Sequence, residues 1–357
     1  MAKADKVRLG AIGPGGAGRW RVREWIKEPA ADVVAAADTN PDCLDKLEAD
    51  VGHKVERFLG PDGYKKMIDT CGLDGVGVFS PHTLHFPHAM YALDHGVHVM
   101  IEKPMVCGVG NAIASAKLAA KKKLVYMITY QRHFEPKYVY ARQLIREGAI
   151  GDVKTFYVYM AQDWPGPRMG WRGDPKFSGG GQLNDSGSHY QDILLYMTGL
   201  MPKTVEGAYD MLYRGERAKV ETNGSFSVVL TNGAAGRLII IGDYIRGFED
   251  DVRIQGDKGM ILFKTSENTL LTLMQDGKPL TKIEPKLPDG YPPSPSQNFV
   301  RLLTGECKEN YVPALFGAQV ALLTDGMLLA GKTRKRADCA AILKKAGYTY
   351  RDITIKA

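Results

Sequence analysis

The chain has 357 residues, 44% of them hydrophobic and 24% charged, with a formal net charge of +7. This is the make-up of a globular protein with a sizeable core and roughly two domains, since domains hold about 100–200 residues. It excludes a fibrous or low-complexity chain. The scattered Lys and Arg leave no nucleic-acid footprint, the cluster Lys121-Lys122-Lys123 reading as the solvated end of a helix.

The first third alternates short apolar runs with helical patterns. Val7–Ile12, Val33–Ala37, Gly75–Phe79, Val97–Ile101 and Leu124–Thr129 read as buried strands. Gly18–Glu28, Pro41–Val51, Asp62–Cys71, Leu84–His95 and Gly110–Lys121 read as the helices between them. Such alternation implies a doubly wound parallel sheet covered on both faces. The pattern changes after Tyr130. A helix at Lys137–Glu147 and a strand at Val153–Ala161 lead to a Gly/Pro/Trp-rich loop, Trp164–Gly181, and a helix over Asp185–Thr198. Strands follow at Val205–Tyr213, Glu221–Leu230, Ala235–Ile245, Asp251–Gln255, Met260–Lys264 and Leu270–Met274. Asn232-Gly233 and Asp276-Gly277 are hairpin signals. Pro285–Pro295 reads as a loop, Gln297–Leu303 and Ala314–Lys332 as helices, and the tail as one more short helix. The expected class is α/β: a dinucleotide-binding domain over residues 1–129, then an α+β domain over 130–357 with a large, mostly antiparallel open sheet.

Val7–Gly18 contains G-x-G-x-x-G as Gly13, Gly15 and Gly18. It follows a predicted strand and opens a predicted helix, the context that gives the motif meaning. Gly13 permits the tight turn, Gly15 the approach of a pyrophosphate, and Gly18 close helix–strand packing. The amides of the helix start, at Gly16 and Ala17, face the phosphates. Asp38 ends the next strand about 20 residues on, where an acid holds ribose hydroxyls. Neither Thr39 nor Asn40 is basic, which favours NAD over NADP.

Lys103 closes a predicted strand whose end lines the ligand crevice, and Pro104 forbids helix there. Ser178–Asp192 brings Asp185 and His189 four residues apart behind a run of small residues. A helix starting near Asp185 puts both on one face. A carboxylate beside an imidazole suits proton transfer from a hydroxyl.

With these residues the chain resembles the Gfo/Idh/MocA oxidoreductase family. The resemblance covers most of the chain. It rests on Gly13-x-Gly15-x-x-Gly18, Ser80-Pro81-His82-x-x-His85, Glu102-Lys103-Pro104, and the run from Gly179 through Asp185 and His189 to Asp192. It implies a Rossmann domain followed by an α/β domain whose open sheet often mediates oligomerisation, here a homodimer or homotetramer. It also implies NAD(P)-linked redox chemistry at a carbinol carbon of a sugar or cyclitol. Lys103, Asp185 and His189 match the family's catalytic trio. Ser80, His82, His85 and Glu102 fall among its cofactor-side positions. Two departures stand out: Ser80-Pro81-His82 replaces the more usual Thr-Pro-Asn, and Tyr130-Gln131-Arg132-His133 has His133 where Arg is frequent. Gln131 and His133 are candidate substrate contacts.

Trp164 and Arg172 in the aromatic loop are further substrate candidates, an indole for C–H faces and a guanidinium for hydroxyls or acids. His82, His85 and His88 share a helical face, but no carboxylate or cysteine completes a set, and no metal is expected. Asp192 is equally a helix-structural or a site residue. Cys43, Cys71, Cys107, Cys307 and Cys339 are odd in number, far apart and without a CxxC pair, which suits reduced thiols. The start, Met-Ala-Lys-Ala-Asp-Lys, has no apolar signal region, and no apolar stretch approaches the roughly 20 residues of a membrane span. A cytoplasmic protein without membrane or nucleic-acid partners is expected. The leading function is an NAD-dependent oxidoreductase of a sugar, cyclitol or sugar derivative. The alternatives are a redox-neutral, NAD-dependent glycosidase and a non-enzymatic NAD(H) sensor.

Overall fold

The computed structural model describes residues 6–264 and 270–355. The reading of residues 1–5 as free of a signal region lies outside them. The chain divides into two units. The first takes the described residues to Cys107, then Asn111–Gln131 and Pro292–Ala318. The second takes Gly108–Gly110, Arg132–Tyr291 and the chain from Gln319 onward.

In the first unit, β1 (Val7–Ile12), β2 (Ala31–Asp38), β3 (Glu56–Leu59), β4 (Gly75–Val78), β5 (His98–Ile101) and β6 (Tyr126–Ile128) form one sheet. Its order is β3-β2-β1-β4-β5-β6, with every pair parallel. The winding direction reverses between β1 and β4, so the crevice for a ligand opens at their carboxyl ends. Helices α1 (Gly16–Trp25), α2 (Pro41–Val51), α3 (Gly63–Thr70), α4 (His85–Asp94) and α5 (Val109–Lys122) connect the strands. The sequence reading of α2 is matched residue for residue. The Asn40 side chain accepts from the amide of Asp42, Pro41 sits in the first turn, and Gly52 ends the helix at φ +77°. Strand β3 was not foreseen, because this edge strand is largely exposed and has no apolar run.

The second unit contains α6 (Pro136–Arg146), β7 (Val153–Asp163), α7 (Pro175–Ser178), α8 (Ser188–Thr198) and β8 (Pro202–Asp210). A small ribbon, β9 (Leu212–Tyr213) with β10 (Glu216–Arg217), stands apart from the main sheet. Then come β11 (Asn223–Leu230), β12 (Ala235–Ile241), β13 (Asp243–Gly256), β14 (Gly259–Lys264), β15 (Leu271–Gln275) and β16 (Thr281–Ile283). With β17 (Ala337–Asp338) these make nine strands in the order β16-β15-β14-β13-β7-β12-β11-β8-β17. All pairs are antiparallel except β7 with β12. Along β11, Phe226, Val228 and Leu230 are buried while Ser225 and Ser227 are exposed. One face of the sheet is thus core and the other open. Gly233 (φ +92°) and Gly277 (φ +67°) turn the two hairpins read from the sequence. The break expected between Ile245 and Asp251 is absent: β13 runs through it, with a register shift between Asp243 and Phe248.

Two further expectations are corrected. The division at residue 129 is not a single cut, because α9 (Pro295–Thr304) returns to the first unit. Phe299 stacks on Trp25 at 6.2 Å, and Arg301 pairs with Glu28 at 3.0 Å. Without α9, the fully buried Trp25 at the end of α1 loses its cover. The apolar-span reading also changes. Helix α10 (Ala314–Thr333) is 20 residues long with mean hydropathy 1.5, enough by length and composition to span a membrane. Its most apolar window is 78% buried within the protein, the pattern of a core helix. The tail helix is α11 (Cys339–Lys345).

Replacing Phe299 with Ala should lower unfolding stability by about 3–5 kcal/mol, read as a shift of the urea midpoint. A loss under about 1 kcal/mol would show that α9 is not a core element of the first unit.

Candidate active site

In the first unit, the strand ends build one edge. Gly13 follows β1 at φ +70°, and a Cβ there would stand 2.9 Å from the Ser80 backbone. A Cβ on Gly18 would stand 2.8 Å from the Phe79 ring. Both glycines let the first turn close onto the exit of β4. Gly15 flanks the start of α1, where the backbones of Gly16 and Ala17 are exposed. A compact turn feeding open helix amides fits a pyrophosphate. At the end of β2, Asp38 Oδ1 accepts the amide of Asn40 at 2.8 Å, and the Cys43 thiol lies against the carboxylate.

Other cofactor-side candidates turn inward. The Ser80 hydroxyl meets His88 Nδ1 at 2.9 Å. Burial pushes His88 down to about 4. His85 is fully buried, with Nε2 facing the Ser80 carbonyl at 2.7 Å and Nδ1 facing the Pro104 carbonyl at 2.8 Å. It therefore ties the turn after β4 to the turn after β5. His82 is buried edge-on to His85. Glu102 is also internal rather than presented to a ligand. Its Oε1 receives Arg21 Nε at 2.6 Å and its Oε2 the Lys103 amide at 2.9 Å. Burial works to raise the Glu102 carboxyl, but the charges of Arg21 and Lys103 prevail and hold it below the usual range. Arg21 also donates to the Thr129 carbonyl at 3.0 Å. The half-buried Lys103 is thus fixed through its own backbone. Arg21 escaped the sequence reading, although it sits on the buried stripe Gly18–Val22–Trp25 of α1. A cation on an apolar stripe was the available signal. Gln131 is half-buried at the end of this unit's second segment.

In the second unit, Gly179–Gly181 opens a ramp of overlapping turns. The amides of Asn184 and Asp185 both reach the Gly181 carbonyl, at 3.1 and 2.9 Å, and that of Gly187 reaches Gln182 at 2.8 Å. Helix α8 starts only at Ser188, so Asp185 is not on it. This corrects the reading of both residues on one helical face. The carboxylate of Asp185 is 3% exposed as a residue, and one oxygen receives both Arg172 Nε at 3.0 Å and Trp164 Nε1 at 3.2 Å. Three residues read separately from the sequence therefore meet, and the two donors fix the carboxylate. His189 is half-buried in the first turn of α8.

Buried polar bolts hold that helix. The Tyr190 hydroxyl donates to Asp250 at 2.5 Å, beneath the Arg132 guanidinium at 4.7 Å from its ring. Gln191 donates to the Leu183 carbonyl and accepts from Thr324, both at 2.7 Å. His133, expected at substrate, is instead 0% exposed, with Nε2 at 3.0 Å from Asp192 and its ring stacked on Tyr196 at 3.7 Å. This assigns Asp192 the helix-structural part. Lys103 belongs to the first unit, and Asp185 and His189 to the second.

A parallel sheet wound in the order 3-2-1-4-5-6 with a glycine turn at its switch point defines a dinucleotide-binding architecture. Residues 7–130 match the oxidoreductase family with NAD-binding Rossmann fold, and residues 138–262 the GFO/IDH/MocA C-terminal domain. The chain belongs to the Gfo/Idh/MocA family, and its first unit is an NAD-binding domain. It is 24% identical over 246 residues to scyllo-inositol 2-dehydrogenase (NADP(+)) IolW of Bacillus subtilis, covering 68% of this chain and 64% of that one. It is 28% identical over 174 residues to levoglucosan dehydrogenase of Pseudarthrobacter phenanthrenivorans, covering 48% and 43%. The match thus spans less than two thirds of each relative. Levoglucosan dehydrogenase in complex with NADH and levoglucosan shares the fold, with a TM-score of 0.80 at 20% identity over 94% of this chain and 100% of that one.

Breaking the Arg21–Glu102 pair by Arg21→Met should cost about 3–5 kcal/mol, because it strands a buried carboxylate. Adding Glu102→Gln should restore part of the loss. A double-mutant cycle of chemical denaturation reads both, and simple additivity would sink the pairing.

Proposed function

We propose that this protein is an NAD-dependent oxidoreductase moving a hydride between nicotinamide and a carbinol carbon of a sugar, cyclitol or sugar derivative. The observation that carries it is the ramp, which delivers a doubly anchored Asp185 and then His189 within four residues. The relatives' names support the substrate class. The Gly13–Gly18 turn and the start of α1 hold the pyrophosphate. Asp38 accepts ribose hydroxyls, and with no base after it a 2′-phosphate is disfavoured. When bound, the dinucleotide supplies the hydride chemistry. His189 takes the substrate hydroxyl's proton. Asp185, held by Arg172 and Trp164, orients that hydroxyl. Lys103 supplies positive charge for the developing alkoxide. The reading includes a cytoplasmic location and self-association as a homodimer or homotetramer through the open sheet face.

The test follows NADH absorbance and aglycone release together over a panel of sugars, cyclitols and aryl glycosides. Stoichiometric NADH from a free polyol is the expected result. NAD-requiring aglycone release without net NADH would replace it by the redox-neutral glycosidase. Tight NAD binding with silence in both channels would favour the sensor. His189→Ala should lower kcat by about 10²–10⁴-fold with NAD affinity within about two-fold, since the nucleotide elements lie in the first unit. Asp38→Ala should weaken NAD about 10–100-fold, the worth of hydrogen bonds to a charged group, while NADP affinity holds or improves. Calorimetry with each dinucleotide reads this.

A further inference from the structure

Glu221, the first residue of a strand in the sequence reading, lies just before β11. The structure buries it to 5% exposure. Among the described residues its carboxylate meets backbone amides only. Gly181 donates to Oε1 at 2.5 Å, and the nearby backbone N–H groups of Asn184 and Glu221 itself favour the charged form. The Glu221 carbonyl in turn accepts from the amide of Gln182 at 2.8 Å. The fit admits no side chain: a Cβ on Gly181 would stand 1.9 Å from that carbonyl oxygen. The charge of Glu221 reaches Tyr209 on the neighbouring strand β8, on which Arg334 also acts. Asn184, which faces it from the ramp, is neutral.

Stability does not account for a carboxylate here. Burial outweighs the amides and pushes Glu221 up to about 7. The folded state therefore holds the proton more tightly than the unfolded chain, whose value is near 4.5. Stability is full below about 4.5, falls as pH rises toward about 7, and stays lower above it. A neutral residue of the same shape escapes that loss.

We propose that Glu221 is a positioning residue for Asp185 and His189: its carboxylate holds the amide of Gly181, whose carbonyl in turn takes the amides of Asn184 and Asp185, and so sets the direction of the ramp that carries Asp185 and leads into His189. The proposal rests on the reading of Asp185 and His189 as the proton-transfer pair. Because Trp164 donates to Asp185, its indole N–H reports the ramp without any substrate.

The experiment compares the full chain with Glu221→Gln and Glu221→Asp. It follows the ¹⁵N-indole resonance of Trp164 with pH, the thermal midpoint at acid and alkaline pH, and steady-state kinetics. In the unaltered protein the Trp164 signal should move with a midpoint near 7, and Glu221→Gln should abolish that movement. The Gln variant should keep or gain thermal stability above pH 7 yet lose about 100-fold in kcat, the cost of a small misplacement, with NAD affinity unchanged. The Asp variant, charged but one methylene short, should also lose kcat. The proposal is overturned if Trp164 titrates alike with and without Glu221, if kcat survives in Glu221→Gln, or if activity falls only in step with stability. A substrate panel without turnover would sink the dehydrogenase reading, and the Trp164 titration would still decide the role of Glu221.

Discussion

Arg21 is 2% exposed, and a guanidinium that deep cannot be left without a counter-charge. Glu102 meets that demand, and the rest of the first unit's edge follows from the pairing. The same carboxylate that neutralises Arg21 takes the amide of Lys103, so the helix that begins at the glycine turn and the strand end that presents the lysine share one anchor. Arg21 reaches on to the Thr129 carbonyl and brings the end of β6 into the same network. His85 extends it by joining the turns after β4 and β5. Three strand exits and helix α1 are held by buried polar groups rather than by loop packing, which gives a rigid edge for a ligand made mostly of backbone.

The second unit reaches order by a related route with different chemistry. Asp185 sits on a short ramp rather than on a regular element, and His189 in the first turn of the helix that follows. Neighbours add to the ramp's own turn bonds: Arg172 and Trp164 come from the loop before it, and Gln191 of α8 holds the Leu183 carbonyl while Thr324 of α10 holds Gln191. Helix α8 is then locked by His133 against Asp192 and by Tyr190 against Asp250. Satisfied buried polar groups specify a single arrangement at the cost of stability elsewhere.

What the sequence made legible follows from locality. Strands with continuous apolar runs, α2 with its Asn40 cap, and the hairpins at Gly233 and Gly277 depend on neighbours a few residues away, and they read correctly. The convergence of Trp164 and Arg172 on Asp185 was half legible, because loop composition marked all three but not their contact. Burial of polar groups was not legible. His133 looked like a substrate contact until distant segments covered it, and Glu221 stood only as the start of a strand. The exposed β3 had no pattern to read. The return of α9 was hidden behind a proline-rich loop, because it depends on Trp25, some 270 residues earlier in the chain.

That return has a consequence for how the molecule is made. The nucleotide-binding unit is begun before the second unit and finished only after most of it. Domains generally fold as they emerge, N-terminal first. Here one face of Trp25 waits for Phe299 while every strand of the second unit but β17 is synthesised, so that face, its other side packed on Phe79, and an unpaired Glu28 stay uncovered until α9 emerges. The nascent first unit is thus an open sandwich, and the chain closes it only by threading back through Pro292–Ala318.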